Sequence, residues 1–273
     1  MAVTFETLKP DAKIFEELKT NPKWWKRFKE DPSLYIEIRK DNQVKVYFEG
    51  GSVARIHYCS KNNILQIFTH KKYLNEESNK TYPEISDRID VKFQTIIKGV
   101  QDCYSQKKGK IGFLPKEEWS EKYIQGSLIV NNRSIHLDSE FAYNDDQSKI
   151  RIDLIKCIDG VVTFVELKRI NDGRMLHEDD ATPLEVVEQM ERYKQFIEKY
   201  EPQLLSYYQL VYDIKVSLGL PVPNRRPEKI NLTPELLIFD GWEKSTEGRR
   251  IHHERMYNIL KKKGVKYNTI TEI

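Results

Sequence analysis

Alternating apolar and polar positions dominate the first third of the chain. Four runs follow this two-residue period and read as strands, at 34–40, 44–50, 52–59 and 64–74. The pairs that separate them form turns at hairpin spacing and are Asp41-Asn42, Gly50-Gly51 and Asn62-Asn63. Two short helices over residues 10–30, interrupted at Asn21-Pro22, precede these strands, and a helix over 85–106 follows them. The pattern predicts a β-rich N-terminal part built on an antiparallel meander.

Helices and strands alternate in the rest of the chain. A helix from Lys116 to about Val130 leads into three strands, at 134–143, 149–158 and 161–170, and the tight turn Asp159-Gly160 joins the last two. The polar segment 107–110 separates this part from the meander. The sequence therefore predicts two domains, 1–108 and 109–273, and an α/β fold for the second.

The helix after these strands has a well-formed start. Thr182 can cap it, Pro183 takes its first position, and it runs to about Tyr200. The pattern then predicts a helix over 202–217, a strand over 235–242, a basic helix near 247–263 and a short tail strand. This completes an αβββαβ order in the second domain.

Composition narrows the class of protein. Of the 273 residues, 39% are hydrophobic and 32% are charged, which is typical of soluble globular proteins. Neither an apolar run of about 20 residues nor a secretory signal is present, so we expect a cytoplasmic protein without a membrane contact. Cys59, Cys103 and Cys157 lack metal-ligand spacing and are expected to be buried, reduced thiols.

The net charge of +3 does not by itself indicate nucleic acid, but its distribution is uneven. In the first hundred residues, 18 lysines and arginines face 14 aspartates and glutamates. The clusters 23–27 and 70–72 mix cations with aromatic rings, a pairing that suits a phosphate backbone. A solvated helix face with core tryptophans explains 23–27 equally well, so a nucleic-acid-binding role and a dimerising role of this domain both stay open.

The strand over 161–170 carries an acid and a base on one side. Glu166 and Lys168 are two residues apart and project together, while apolar residues occupy the other face. In the preceding strand Ile150, Ile152 and Leu154 are expected to form the apolar face, which leaves Asp153 opposite and brings it near Glu166 through the short hairpin. Paired carboxylates ionise at a cost unless a cation lies between them, so the pair predicts a Mg²⁺ or Mn²⁺ site.

A lysine beside such a metal can orient a water molecule and offset charge on a phosphate. The alternative is a half-exposed hairpin whose charges form surface ion pairs. The apolar context of residues 161–167 favours the metal site, because charges on a buried strand usually pair or bind metal.

The motif order resembles the PD-(D/E)XK nuclease superfamily. Asp153, then Glu166-Leu167-Lys168, carry this resemblance over residues 115–242, although Ile152 stands where the family often has proline. Gln189 and Tyr193, four apart on one helix face, are similar to the QxxxY motif of the RecB-like and NucS-type branch. The resemblance implies a restriction-endonuclease-like core and a common homodimeric arrangement.

In that superfamily the helix before the sheet often supplies a further acid. Glu121, in the middle of its predicted helix, is the first choice, and Glu118 and Glu140 are the alternatives. The resemblance implies that Asp153, Glu166, the Leu167 carbonyl and one of these glutamates hold the metal. Lys168 would position water, and Gln189 and Tyr193 would orient the site. Arg151 and Arg169 flank the proposed ligands and could hold substrate phosphates, although each could equally pair with neighbouring acids.

These observations predict a Mg²⁺- or Mn²⁺-dependent nuclease that hydrolyses phosphodiester bonds, with DNA as its partner in repair, recombination or defence. The alternative is a non-catalytic nucleic-acid-binding protein, or a regulatory partner, that keeps the nuclease fold. A purely structural, dimerising protein is the third interpretation. The chain contains no Gly-rich phosphate loop, so ATP-driven movement along a strand would need another protein.

Overall fold

Over the residues that the structure describes, two β-sheets and six α-helices form a mixed α/β fold. The structure is a computed structural model that describes residues 8–104, 114–144, 149–175, 184–242 and 246–273. Among the described residues, no helix is long and apolar enough to cross a membrane.

The first sheet is the predicted antiparallel meander. Its strands are adjacent in chain order: β1 (Leu34–Arg39), β2 (Gln43–Phe48), β3 (Gly51–Cys59) and β4 (Ile64–Phe68). The turn between β2 and β3 is Glu49-Gly50, with φ of 44° and 78°, and not Gly50-Gly51. Positive φ at both central residues matches the twist of a two-residue hairpin. The strand predicted over 64–74 is shorter, because a 3₁₀ turn forms at Lys71–Tyr73.

Three helices cover the apolar face of this sheet. They are α1 (Lys13–Lys19), α2 (Lys23–Glu30) and α3 (Ile89–Tyr104). Asn21, with φ of 57°, lies in the predicted break between the first two. Trp25 is fully buried and Trp24 packs against the same core, so the tryptophans of the 23–27 cluster are core residues. This agrees with the structural interpretation of that cluster.

The second sheet has the order β10-β9-β7-β6-β5, with β8 paired to β7. Its strands are β5 (His136–Asn144), β6 (Lys149–Ile158), β7 (Val161–Arg169), β8 (Lys229–Ile230), β9 (Glu235–Phe239) and β10 (Tyr267–Ile270). The first three are antiparallel, and β7, β9 and β10 run parallel. Asp159 and Gly160 form the predicted turn, with φ of 50° and 78°. The two-residue strand β8 was not predicted from the sequence.

The helices of this part are α4 (Glu121–Asn131), α5 (Glu185–Ser217) and α6 (Glu247–Lys262). The helix predicted from Lys116 begins later, because a 3₁₀ turn ends at Glu118 and the Ser120 hydroxyl caps α4. Glu121 is therefore in the first turn of α4, not in its middle. Thr182 and Pro183, predicted to start the next helix, lie outside the described residues, and Leu184 precedes the first residue of α5.

Helix α5 joins the two helices predicted on either side of residue 201. Tyr200 has non-helical angles, with φ −118° and ψ 18°, and Pro202 follows it inside the helix. Proline cannot donate a backbone hydrogen bond to the preceding turn, which explains the kink.

Side chains of the two sheets pack together in the same apolar clusters. The larger apolar cluster combines β1–β3 and α1–α3 with β5–β7 and α5. In the smaller cluster, α4 packs against β6, β7 and β9 together with Tyr35 and Tyr47 of the first sheet. A buried ion pair between Lys215 Nζ and Glu37 Oε2, at 2.8 Å, also joins the two parts. The division at residue 108 lies outside the described residues and stays a prediction.

The three cysteines are free thiols, but only Cys157 is buried. Cys59 is partly exposed and Cys103 is exposed near the end of α3. The expectation of burial was wrong for these two, because both lie on outward positions of elements whose opposite sides face the core.

Candidate active site

The ladder between β6 and β7 ends at Asp153. Paired residues run from Ile158 and Val161 to Leu154 and Val165. Beyond that point the Asp153 Oδ2 atom accepts the Leu167 N–H at 2.9 Å. A carboxylate thus replaces a backbone partner at the point where two strands separate.

This irregularity changes the predicted face of β6. Ile150 and Ile152 belong to the larger cluster beside α5, whereas Leu154 belongs to the smaller cluster beside α4. The expectation that these three residues form one apolar face was wrong, because the strict two-residue alternation is interrupted at Asp153. Strand β7 keeps its alternation, with Phe164 and Val165 in different clusters.

The centre of the site is the ammonium group of Lys168. Its Nζ atom donates to Glu166 Oε1 and, at 2.8 Å, to the Leu167 carbonyl. It also lies 3.8 Å from Glu121 Oε2 and 3.8 Å from Asp153 Oδ2. The Lys168 and Glu166 side chains are only 1% and 3% exposed, so these charges interact with little screening by water.

Burial shifts the ionisation of the acids. Burial, followed by the nearby Asp153 carboxylate, raises the pKa of Glu166 from 4.5 to about 8 despite the contact with Lys168. Burial also raises the pKa of Asp153 and of Glu121, and Lys168 opposes both shifts. Three carboxylates share one ammonium group, so negative charge is in excess when all are ionised.

Helix α5 fixes Glu166 from the other side. Gln189 Nε2 donates to Glu166 Oε1 at 2.7 Å and lies 2.7 Å from the Tyr193 hydroxyl. The Tyr193 hydroxyl contacts the Arg151 carbonyl and is 3.2 Å from Glu166 Oε2. Among described atoms, Gln189 Oε1 is buried without a hydrogen-bond partner. Gln189 and Tyr193 are thus brought together with the acid that they were predicted to orient.

The three candidates for the further acid are placed differently. Glu121 lies in the cluster around Lys168. Glu118 is exposed in the preceding 3₁₀ turn. Glu140 is exposed on β5 with φ of 50°, and its charge adds to the burial-driven rise in the pKa of Asp153. Glu121 therefore joins the central cluster, and Glu140 lies at its border.

The two predicted phosphate-binding arginines lie at the edges of the cluster around Lys168. The Arg151 side chain is exposed on β6. Arg169 is partly buried at the end of β7, where Nη1 donates to the Trp119 carbonyl at 3.3 Å. It also lines a small surface cleft beside Phe239 and Trp242.

Sequence reasoning missed Gln125. Its Nε2 atom donates to the Asp153 carbonyl at 2.6 Å, and the residue is buried on α4 one turn after Glu121. A polar residue four positions from a candidate ligand, between Ile124 and Leu128, was the available signal. Gln125 and Glu121 thus connect α4 to the site at two points.

A second omission is the pair Asp172 and Arg174. Two Arg174 nitrogens donate to the Asp172 carboxylate at 2.9 Å. Burial opposes ionisation of Asp172, but these hydrogen bonds outweigh burial and lower its pKa. Both charges act on Glu121, so the pair borders the cluster.

A bound metal ion and the Lys168 ammonium group would compete for the same carboxylates. Among the described residues, no three His, Cys, Asp or Glu side chains form a group that could hold a metal ion as they stand. The Lys168 ammonium lies between the carboxylates instead. Their chemistry nevertheless fits a hard divalent cation, because carboxylate and carbonyl oxygens are its preferred ligands and the cluster has an excess of negative charge.

No protein-family model, curated protein or solved structure matches the chain. The chemistry of the site is therefore inferred from the contacts described above. Membership of the nuclease superfamily stays a prediction.

Proposed function

We propose that the chain is a divalent-metal-dependent nuclease that hydrolyses phosphodiester bonds in DNA. The main support is the convergence of the Glu121, Asp153 and Glu166 carboxylates on Lys168 Nζ. These groups meet where the β6–β7 ladder ends, partly exposed through Asp153 and Glu121, whose side chains are 25% and 32% exposed. Such a place combines buried charge with access for a substrate.

Each residue has a distinct role in this proposal. Asp153, Glu166, Glu121 and the Leu167 carbonyl would hold Mg²⁺ or Mn²⁺. Such an ion supplies a Lewis acid for a phosphodiester and acidifies bound water. Lys168 orients the attacking water through its ammonium hydrogens and offsets the negative charge that develops on the phosphate.

Helices α4 and α5 position these groups. Gln189 and Tyr193 hold both Glu166 oxygens, and Gln125 holds the backbone of Asp153. Ligands oriented by such neighbours lose little conformational freedom when they bind an ion, which favours a defined geometry. These three residues contact the proposed metal ligands and not the substrate phosphate, so they are positioning residues.

The order of the elements also supports a restriction-endonuclease-like core. A helix, three antiparallel strands, a long helix and a parallel strand follow each other along the chain. The acids lie on the second and third of these strands and the Gln-x-x-x-Tyr pair on the long helix. We assign the chain to the PD-(D/E)XK superfamily, in its QxxxY branch, as part of this proposal.

A non-catalytic nucleic-acid-binding protein with this fold is the second candidate. It is favoured by the position of the Lys168 ammonium, which already neutralises part of the acidic cluster. This candidate predicts salt-sensitive DNA binding and no metal-dependent product.

The experiment is digestion of linear, circular single-stranded and branched DNA by the purified protein with Mg²⁺, Mn²⁺ or EDTA. We expect products in Mg²⁺ or Mn²⁺ and none in EDTA. Asp153→Ala should give none in any condition, and Asp102→Ala, an exposed aspartate on α3, should cut like the unmodified protein. Binding without products on every DNA would move the assignment to the second candidate.

A further inference from the structure

Two cations face each other on the first sheet, and neither has a counter-ion within the described part of the chain. Lys45 of β2 and Arg55 of β3 are direct cross-strand partners. Like charges in this arrangement destabilise a sheet. On its other side Lys45 is opposite Glu37, but the Glu37 carboxylate is bound by Lys215 Nζ at 2.8 Å. Within the described residues, Lys45 and Arg55 form no ion pair and no side-chain hydrogen bond, and Arg55 Nε is buried without a partner.

Aromatic and histidine rings extend this charged surface. The Tyr82 residue is 37% exposed, and the centroid of its ring lies 4.0 Å from the Arg55 guanidinium carbon. The His70 ring packs edge-on against the Tyr82 ring, with centroids 5.0 Å apart. His57 lies two residues after Arg55 along β3. We call Lys45, Arg55, His57, His70 and Tyr82 the basic band. It joins the cluster at 70–72, singled out in the sequence, to the face of the sheet that carries Lys45 and Arg55.

The band continues towards the acidic cluster, which is formed by the carboxylates of Glu121, Asp153 and Glu166 around Lys168. Arg39, at the end of β1, donates to Asp138 Oδ1 at 2.5 Å and to the Ser139 carbonyl at 2.7 Å. Ser139 directly precedes Glu140 in the chain. Burial, then Arg39 and Arg55, lower the pKa of Lys45, and the Glu140 carboxylate opposes this. The same carboxylate acts on Asp153. In the β5–β6 ladder the pairs Ser139–Leu154 and Phe141–Ile152 flank Glu140 and Asp153, so Glu140 is opposite Asp153 and its charge also reaches Lys45.

We propose that the basic band binds the phosphate backbone of the DNA strand that is cut at the acidic cluster. This inference rests on the proposed function. A phosphate between Lys45 and Arg55 relieves their repulsion and supplies acceptors for side-chain donors that have no acceptor among the described residues. The band lies beside a site that itself repels phosphates through its carboxylates, so it supplies attraction that the acidic cluster lacks.

The test compares Lys45→Gln/Arg55→Gln with Lys19→Gln/Lys98→Gln, which also removes two positive charges. Lys19 and Lys98 are exposed on α1 and α3, the helices that cover the opposite face of the same sheet. Fluorescence anisotropy with labelled duplex and single-stranded DNA, in EDTA, measures affinity between about 50 and 200 mM salt.

We expect the band variant to bind at least about tenfold more weakly and to lower the slope of log affinity against log salt by about 1.4 to 1.8, because each phosphate contact contributes about 0.7 to 0.9. The control should match the unmodified protein. The band variant should melt at the same temperature or higher, since it loses a repulsion. If the double variant does not fold, Lys45→Gln alone should give about half the change in slope.

Equal affinity and slope in all three proteins would overturn the proposal, as would equal losses in both variants or no DNA binding by the unmodified protein. Because EDTA prevents cleavage, these outcomes do not depend on the proposed reaction. Metal-dependent cleavage with an unchanged salt slope in the band variant would refute the band alone. A band-dependent slope without cleavage in Mg²⁺ would refute the nuclease alone.

Discussion

Glu166 is a buried acid whose two oxygen atoms are both occupied. Lys168 and Gln189 contact one oxygen, and the Tyr193 hydroxyl is 3.2 Å from the other. A carboxylate so constrained can present only a small part of its surface to an ion or a substrate. Small displacements of its partners should therefore change catalysis more than they change folding.

Gln189→Ala tests this dependence. We expect the rate of DNA cleavage to fall by about 10- to 100-fold, the usual effect of removing a residue that orients a metal ligand. The matched control is Gln195→Ala, because Gln195 is exposed on the same helix and, among the described residues, its side chain bonds only Glu191. Cleavage kinetics should separate the two variants, and equal rates for both would refute the positioning role of Gln189.

His136 should make folding sensitive to acid. Burial, followed by the charges of Lys156 and Lys215, lowers its pKa from 6.5 to about 3. Between these values the unfolded chain binds a proton that the folded chain does not, so stability falls as pH decreases below about 6.5. The slope from this residue approaches about 1.4 kcal/mol per pH unit.

The check is chemical denaturation of the unmodified protein and His136→Gln at several pH values between 7 and 4. The difference between their free energies of unfolding should change with pH in favour of the glutamine variant as the solution becomes more acidic. A difference that is independent of pH would show that His136 titrates alike in both states.

At the scale of elements, periodic segments were predictable and their interruptions were not. The meander, the turn at Asp159-Gly160 and the helix carrying Gln189 all follow local patterns. Asp153 leaves the β6–β7 ladder because its carboxylate binds the Leu167 N–H, a contact that the alternation of apolar residues does not encode. Glu121 was placed within its helix, since the charged run before Ser120 resembles a helical turn.

Helix α4 reaches its position through a close approach of two glycines. A methyl group added at Gly126 would lie 2.7 Å from the Gly50 backbone nitrogen, and one at Gly50 would lie 2.6 Å from the Lys122 carbonyl. The β2–β3 turn therefore fixes the position of α4, the helix that carries Glu121 and Gln125.

Gly126→Ala should displace α4. Although alanine favours helix formation, the contact with backbone atoms should cost about 1–3 kcal/mol of stability. Gly99→Ala is the control, because its added methyl would lie 2.6 Å from Tyr73 backbone atoms, away from the acidic cluster. Thermal unfolding should show losses in both, whereas cleavage by folded protein should fall only in Gly126→Ala. Equal cleavage by both would separate α4 from the site.

At the scale of the whole molecule, long-range pairs could not be predicted. Glu37 and Lys215 are 178 residues apart, and each is nearly fully buried. The sequence showed two charged residues in apolar elements but contained no signal that one would meet the other. A division into two domains follows from element order, yet the largest apolar cluster contains residues from both parts.

Lys215→Met should lower the stability of the entire chain. It leaves the Glu37 carboxylate buried without its partner, which costs about 3–5 kcal/mol, and Glu37→Leu/Lys215→Met should recover most of that loss. Because the ion pair and the larger cluster connect both sheets, calorimetry should show one unfolding transition that moves as a unit. Two transitions, of which the variant shifts one, would mean that the parts fold separately.

The most direct test of the central claim is calorimetric titration of Mn²⁺ into the unmodified protein, Asp153→Ala and Lys168→Ala. The claim assigns ion binding to the carboxylates and action on water to the lysine. We predict that Asp153→Ala binds at least about tenfold more weakly, and that Lys168→Ala, relieved of the competing ammonium, binds at least as tightly as the unmodified protein. Unchanged Mn²⁺ binding in Asp153→Ala, or no binding by the unmodified protein, would contradict the metal-dependent site.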